Sequence, residues 1–474
     1  MNKSSDISTS SNSERNDLLI LNADLIDGTG ASTRKNRSIL IENGLITAID
    51  KSSPVNGIRK IDAKGSTVMP GLIDAHVHLQ SVPGSVYRDD SEKDLEKYRY
   101  EQLRAYLACG VTTVLDNAIS SEMLKKFNNF LADGGTGPHI YALGPTFYPR
   151  NGYLDNGMLT PYWGPSLKPS ENDEDVKSLF NEYENFDNIV GVKAMVEPGF
   201  QATIWPLHSP EMRETIVRES NKRNKPIYIH AYKKKIQKIG LKMGVKNFAH
   251  SGFLKGSPSN KFINEVLKQG TYLTTTLAST IEQMLIQFDQ ERLDDPLLKL
   301  TVSEEIINTA KDMNAWKDMY EKFIKNSTPK WVPSLVLKQI LKYVNFEKQL
   351  KANLTNASKA IYKMYKAGIP IVLGTDTSNW PLFISFFHGI STIREIELLH
   401  DLGMLPIDII SSSTRIPAEM MGIESEVGTV ETGKRADLVI LKEDPLKNLS
   451  ALRDVSWTIK DGLALSPKEW MDIK

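Results

Sequence analysis

Only eight histidines occur among the 474 residues, and four of them close apolar runs. His76 and His78 lie in GLIDAHVHL, His230 ends PIYIH, and His250 ends VKNFAH. Side chains two apart on a strand point to the same side, so the His-x-His pair delivers two imidazoles to one point. Asp376 ends IPIVLGTD, where an ionised carboxylate is costly unless something positive meets it. Imidazoles and a carboxylate meeting at one place form a donor set suited to Zn²⁺, and also to Mn²⁺, Co²⁺ or Ni²⁺. Lys193 falls inside IVGVKAMV, an otherwise apolar run. A buried ammonium tends to lose its proton. The neutral amine can then take up CO₂ to give a carbamate, an anion able to bridge two cations. The alternative is an ammonium that reaches solvent or Glu197, and burial alone does not choose between them.

These residues work together only if the chain brings them together. Apolar strand-like runs span 67–79, 111–116, 140–144, 189–196, 226–230, 247–250, 271–278 and 370–376, with stretches of helical period between them. One such stretch, 92–108, stops at Gly110 as a helix end should. Eight strands alternating with helices predict a closed parallel barrel or a long doubly wound sheet. No GxGxxG or GxxxxGK[ST] turn opens a helix, which favours the barrel. Barrel strands converge at their carboxyl ends, where residues distant in sequence meet.

Both chain ends read differently. Two apolar runs, 18–26 and 38–49, open the chain, and Asn43-Gly44 supplies a tight hairpin inside the second. VGTVETG, ADLVILK and SWTIKDG repeat that character near the other end. The expected fold is therefore α/β: a (β/α)₈ TIM barrel with a small β-sandwich domain formed by both chain ends. The expected divisions are a disordered polar tail at 1–16, sandwich at 17–66, barrel at 67–423 and sandwich again at 424–474. The Ser/Asn-rich tail has no apolar core of a signal peptide. A Glu/Lys/Gln-rich helical insertion at about 279–329 is longer than a βα loop should be and is read as a lid over the barrel mouth, with a plain surface insertion as the alternative. KWVPSLVL, from Lys330 to Leu337, is an alternative seventh strand.

Composition narrows the classes of function. Lys plus Arg and Asp plus Glu are both 58, so no global charge draws the chain to nucleic acid or to an anionic membrane. The single cysteine, Cys109, excludes an internal disulfide framework and is read as packing. No apolar run reaches 18 residues. The expectation is a cytoplasmic, homo-oligomeric enzyme acting on a small molecule, with no nucleic-acid or membrane partner. His139, His208 and His400 are read as structural.

The motifs MPGLIDAHVHL, VGVKAMV, YIHA, FAHSG and LGTDTS, in that order, resemble those of the amidohydrolase superfamily. SSSTRIPAEMMGI and VGTVETGKRADLVILKEDPL resemble its last helix and returning strands, so the match runs from about Leu18 to Gly462. Within the superfamily the chain looks most like the imidazolonepropionase-like and prolidase-like branch. The resemblance implies two divalent metal ions, Zn²⁺ by expectation. His76, His78 and Asp376 would hold the buried ion, His230 and His250 the more exposed one, and carboxylated Lys193 would bridge them. It also implies hydrolysis of an amide bond, peptide-like or N-acyl amino acid, through a metal-bridging hydroxide with Asp376 as the catalytic proton carrier. Ring-opening of a cyclic amide or lactone is the alternative. Deaminases of the superfamily carry a Glu three residues after the fifth-strand His, and here that position is Lys233, which disfavours deamination. Scaffold members of the superfamily lose ligands, whereas every ligand position is filled here.

Candidate contacts for a substrate carboxylate are Tyr228, Tyr232, Arg150, His388 and Arg394. Many prolidase-like relatives have a Gly-Gly-His turn after the third strand, and this chain reads Asn151-Gly152-Tyr153 instead.

Overall fold

The computed structural model describes residues 17–50, 58–154, 167–198, 205–250, 256–327 and 345–473. The polar tail and the segment from Lys330 to Leu337 lie outside the described residues. In chain order the strands among the described residues begin with β1 (Leu18–Leu25), β2 (Arg34–Glu42), β3 (Leu45–Ile49), β4 (Arg59–Asp62) and β5 (Thr67–Pro70). Next come β6 (Leu72–Val77), β7 (Val111–Asp116), β8 (His139–Phe147), β9 (Ile189–Met195), β10 (Ile227–His230), β11 (Asn247–Ala249), β12 (Tyr272–Thr274) and β13 (Ile371–Val372). The last are β14 (Leu438–Leu441), β15 (Val455–Lys460) and β16 (Leu463–Leu465).

Two sheets result. Strands β6 to β13 pair in sequence order, all parallel. The last meets the first near the carboxyl ends, where Ala75 N–H donates to Leu373 O (3.0 Å) and Asp376 N–H to His76 O (2.7 Å). A parallel bridge between Val77 and Thr377 continues the seam. Lower down, the carbonyls of Ser412 and Ser413 accept from Leu373 and Ile73 instead (2.8 and 2.7 Å), so the barrel closes only towards its mouth. The second sheet joins the chain ends in the order β16-β15-β14-β5-β1-β2-β3, with β4 beside β1. Its apolar cluster, including Leu18, Ile39, Val68, Leu438 and Ile459, is separate from the barrel core. The β2–β3 hairpin turns at Asn43 and Gly44, whose φ values of 53° and 76° suit the right-handed twist of the flanking strands.

One boundary is corrected. Thr67–Pro70 does not extend the first barrel strand; it pairs with β1 and β14 in the small sheet. Pro70 has no N–H to carry a ladder onward. Gly71 then threads so close to the barrel that a Cβ there would lie 2.1 Å from Thr112 Oγ1. The seventh barrel position is filled by β12, within the run expected there.

The helices that matter for the site are α1 (Glu92–Ala108), α2 (Met313–Ser327), α3 (Phe346–Lys366), α4 (Ile390–Asp401) and α5 (Arg415–Met421). Helix α1 starts at a capping box, in which Ser91 and Asp94 side chains each accept from the other's backbone N–H. Helix α5 packs with Tyr228, Tyr141 and Val372 at the amino-terminal end of the barrel and plugs it. The insertion divides in two. Its first turns pack between α3 and α4 on the barrel flank. Helix α2 reaches the mouth, with Phe323 6.1 Å from Phe383 and Lys322 5.0 Å from the Tyr87 ring. Among the described residues no helix is long and apolar enough to cross a membrane.

Candidate metal centre

All four strand-end histidines and Asp376 converge at the barrel mouth. Asp376 Oδ1 lies 3.0 Å from His78 Nε2 and 3.3 Å from His76 Nε2. Its other oxygen accepts from Asn379 Nδ2 at 2.8 Å. His250 Nε2 is 2.9 Å from His230 Nδ1, and His250 Nδ1 is 2.8 Å from Thr276 Oγ1. Donor atoms of His76, His250 and Asp376 all fall within 4.8 Å of one another. Lys193 is 1% exposed and lines the same pocket as His76, His78, His230 and Asp376. Its amine donates to Asn117 Oδ1 (3.3 Å). Glu197 instead accepts from Tyr232 N–H (3.0 Å) and pairs with Lys233 at 3.6 Å.

Backbone geometry aims these groups. Strand β6 carries a register irregularity between Asp74 and Val77, beside the His-x-His pair. Asp74 turns outward and accepts from Thr375 N–H (3.0 Å), Thr375 Oγ1 (2.9 Å) and Thr392 Oγ1 of α4 (2.8 Å). It thereby pins the backbone immediately before Asp376. His250, Thr276 and Asp376 have φ values of 73°, 70° and 64°. Such left-handed non-glycine residues cost roughly 1–3 kcal/mol each and persist where surroundings over-determine them. Glu395 of α4, fully buried, supplies part of that: it accepts from Thr275 Oγ1 and from Leu277 and Ala278 N–H (3.0 and 2.6 Å). Those bonds hold the turn that presents Thr276 to His250.

Protonation follows from burial and charge. Burial lowers His76 to about 3, helped by the Lys193 charge. Burial also drives His230 and His250 well below their usual value. For Asp376 burial acts upward, but His250, His76 and His78 outweigh it and hold the carboxyl well below the usual range. Burial brings Lys193 down to about 7. Neutral imidazoles, an ionised carboxylate and a readily neutralised amine are the protonation states that divalent cations require. The fit is supported by two buried nitrogens, His76 Nδ1 and His230 Nε2, that have no hydrogen-bond partner among the described residues.

The expected substrate contacts fare differently. Tyr232 packs on the cluster, stacked on His250 (4.3 Å, 7°) and edge-on to His230 (5.1 Å). Tyr228 does not reach the mouth. It shares a strand face with His230 but sits two residues deeper, about 7 Å at 3.3 Å per residue, and its hydroxyl donates to Met420 O at 2.9 Å. Arg150 lies on the surface, paired with Glu171 at 2.9 Å. Arg394 faces a flank cleft, where Glu282 (3.1 Å) and Glu397 (2.7 Å) hold it. His388 is turned to α1, with Nδ1 2.8 Å from Tyr106 OH. Arginine at the rim of a strand-end loop satisfies its charge wherever a carboxylate is near, and spacing alone does not reveal which side that is.

The remaining histidines are away from the mouth. His139 opens β8 and pairs with Asp437 and Asp461 (3.1 and 3.3 Å). His208 contacts Ser170 Oγ (2.9 Å), and His400 is exposed at the end of α4. Cys109 is buried, which pushes its thiol far above its ordinary value, as inert packing requires.

The barrel and the strand-end cluster fit a known family. The amidohydrolase family profile matches residues 67–464, and the chain belongs to that family. Among curated relatives, a dihydroorotase of Aquifex aeolicus (strain VF5) is 44% identical over 77 residues, 16% of each chain. A 5'-deoxyadenosine deaminase of Methanosarcina acetivorans is 40% identical over 75 residues, 16% of this chain and 17% of that one. The chain thus matches about a sixth of the length of these relatives. A solved Xaa-Pro dipeptidase with bound methionine superposes with a TM-score of 0.70 at 22% identity, covering 95% of this chain and 100% of that one. Molinate hydrolase gives 0.69 at 19%, covering 96% and 95%. At these identities the two structures establish the fold.

Proposed function

We propose that this chain hydrolyses a C–N bond of an amide, peptide-like or N-acylated, in a small molecule, at a centre of two divalent metal ions, Zn²⁺ by preference. The observation that carries the reading is the convergence of four imidazoles, Asp376 and buried Lys193 at the barrel mouth. His76, His78 and Asp376 would hold one ion, His230 and His250 the other, and Lys193 as a carbamate would join both sets. As an ammonium, Lys193 would repel a dication; as a carbamate it adds the second anion that a two-ion site needs. Bound divalent ions lower the pKa of water towards about 7 and polarise a carbonyl.

Asp376 takes the proton of the attacking water and hands it to the leaving nitrogen. Asn379 fixes one carboxylate oxygen (2.8 Å), which leaves the other directed among the imidazoles. Thr276 orients His250, and Tyr232 packs against both His230 and His250. Ring-opening of a cyclic amide or lactone is the second reading, favoured by the short stretch shared with dihydroorotases. Deamination is disfavoured because Lys233, paired with Glu197, stands where an acid would be needed.

The test is metal content of protein purified without chelator and with bicarbonate, followed by turnover of linear and cyclic amides. Two ions per chain, falling in Lys193→Ala, with linear amides cleaved, is the expected result. One ion indifferent to Lys193 would shift the reading to a mononuclear ring-opening site. No bound metal would end it.

A further inference from the structure

The pocket over the metal ligands has two unlike sides. One is the ligand cluster itself. The other is apolar: Ala118 after β7, Tyr153 and Leu154 after β8, Met195 at the end of β9, and Trp380 and Phe383 after β13. Ala118, Leu154, Met195 and Trp380 are buried, and Phe383 is half-buried. The aromatic members are fixed by one another rather than loosely placed. Trp380 meets Phe383 edge-on at 5.5 Å, and Phe383 stacks on Phe386 at 4.6 Å and touches Phe323 of α2 at 6.1 Å. Tyr153 is braced between His230 (5.0 Å) and Trp205 (5.4 Å). Among the described residues, the candidate cations for a charged substrate are engaged elsewhere: Arg150 with Glu171, Arg394 with Glu282 and Glu397, Lys233 with Glu197. Among the described residues lining this pocket, Lys193 is the one lysine or arginine.

We propose that this wall sets the substrate class: the group beside the scissile amide is uncharged and aromatic or branched aliphatic, and packs on Phe383, Trp380, Leu154 and Met195. This rests on the C–N hydrolase reading. A free carboxylate placed on that wall would lose its water and gain no counter-charge, whereas a phenyl ring gains apolar contact on several sides. Three strand-end loops and the end of β9 contribute to the wall, so it belongs to the site and not to one stray side chain. Phe383 also ties substrate fit to the insertion, because α2 buttresses it through Phe323.

The experiment compares two amides that differ only in the distal group, 3-phenylpropanamide and succinamate, on the metal-loaded full chain. Binding is followed by calorimetry and hydrolysis is measured in parallel. The phenyl amide should bind about tenfold tighter or more, the scale on which a filled apolar pocket discriminates. Phe383→Ala should remove most of that preference. Phe383→Arg should reverse it, with metal content and melting temperature confirming that both variants remain folded. Equal or tighter binding of succinamate to the unaltered protein would overturn the proposal. So would a preference that survives in folded Phe383→Ala and Phe383→Arg. Strong selective binding of the phenyl amide without turnover would leave this inference standing and sink the C–N hydrolase reading instead.

Discussion

Two clusters of histidine and aspartate sit at opposite ends of one barrel and have opposite electrostatic characters. At the mouth, His76, His78, His230 and His250 gather around the carboxylate of Asp376, and buried Lys193 lines the same pocket. At the other end, His139 alone faces Asp437 and Asp461. Burial lowers His76, His230 and His250. Burial acts downward on His139 too, but Asp437 and then Asp461 outweigh it and raise the ring above its usual value. The same residue type is thus pushed towards its neutral form at one end and towards its charged form at the other, and the balance of burial against neighbouring carboxylates decides which. The mouth offers a carboxylate and imidazole lone pairs to a cation, whereas the far end sets one imidazole against two carboxylates.

The largest effect should come from removing the carboxylate that the mouth imidazoles surround. Asp376→Asn keeps the shape and the Asn379 contact but takes away the proton carrier, and kcat/KM on any cleaved amide should fall about 10³-fold or more. Elemental analysis should show metal content falling too; unchanged activity would remove Asp376 from the chemistry. Lys193→Ala comes next. It should leave at most one tightly bound ion per chain and lower activity about 10²-fold, with partial recovery in millimolar acetate, a carboxylate small enough to stand in the vacated space. Recovery by chloride equally well would show that the carbamate is not what the lysine supplies. A smaller loss, about 10-fold to 10²-fold, is expected for Glu395→Gln, which weakens the turn behind Thr276 and His250 without touching the ligands. That variant should weaken metal retention against a chelator more than it lowers kcat at saturating metal.

Why Asp376 and the four histidines could be read in the sequence, while Glu395 could not, has a physical basis. Strand ends in a parallel barrel always meet, so a titratable residue closing an apolar run has a destination fixed by topology. His76, His78, His230, His250 and Asp376 were all of that kind. The Asn43-Gly44 hairpin and the span of α1 were equally legible, because local turn and capping chemistry sets them. Glu395 lies on a helix whose period gives only its face, and nothing local says that three donors at 275–278 will meet it. Tyr228, Arg150, His388 and Arg394 lie away from the ligand cluster for a related reason. Each sits near the right strand, but depth along a strand and the direction of a loop depend on packing partners distant in sequence. Thr67–Pro70 passed to the small sheet because its partners, β1 and β14, come from both chain ends.

The smallest effect on activity, and the sharpest check of the contrast, belongs to the far end. His139→Gln retains a hydrogen-bonding group of similar size but cannot carry charge, so metal content and kcat/KM should stay within about twofold. Its effect should be on stability. The folded-state value of His139 is raised, so the charge-dependent stabilisation is fully present below the unfolded value of about 6.5 and is lost as pH rises through the raised folded value. Asp461, which His139 and Lys460 hold far below the usual carboxylate range, keeps its half of the pair ionised through that window. A charged hydrogen-bonded pair of this kind contributes about 1–2 kcal/mol, less whatever the partly exposed Asp461 loses to solvent screening. Urea unfolding at pH 6 should therefore show His139→Gln destabilised by about that much, and at pH 9 the gap should close. A gap of equal size at both pH values would mean that His139 is held by packing, and the electrostatic contrast between the two ends would lose its second half.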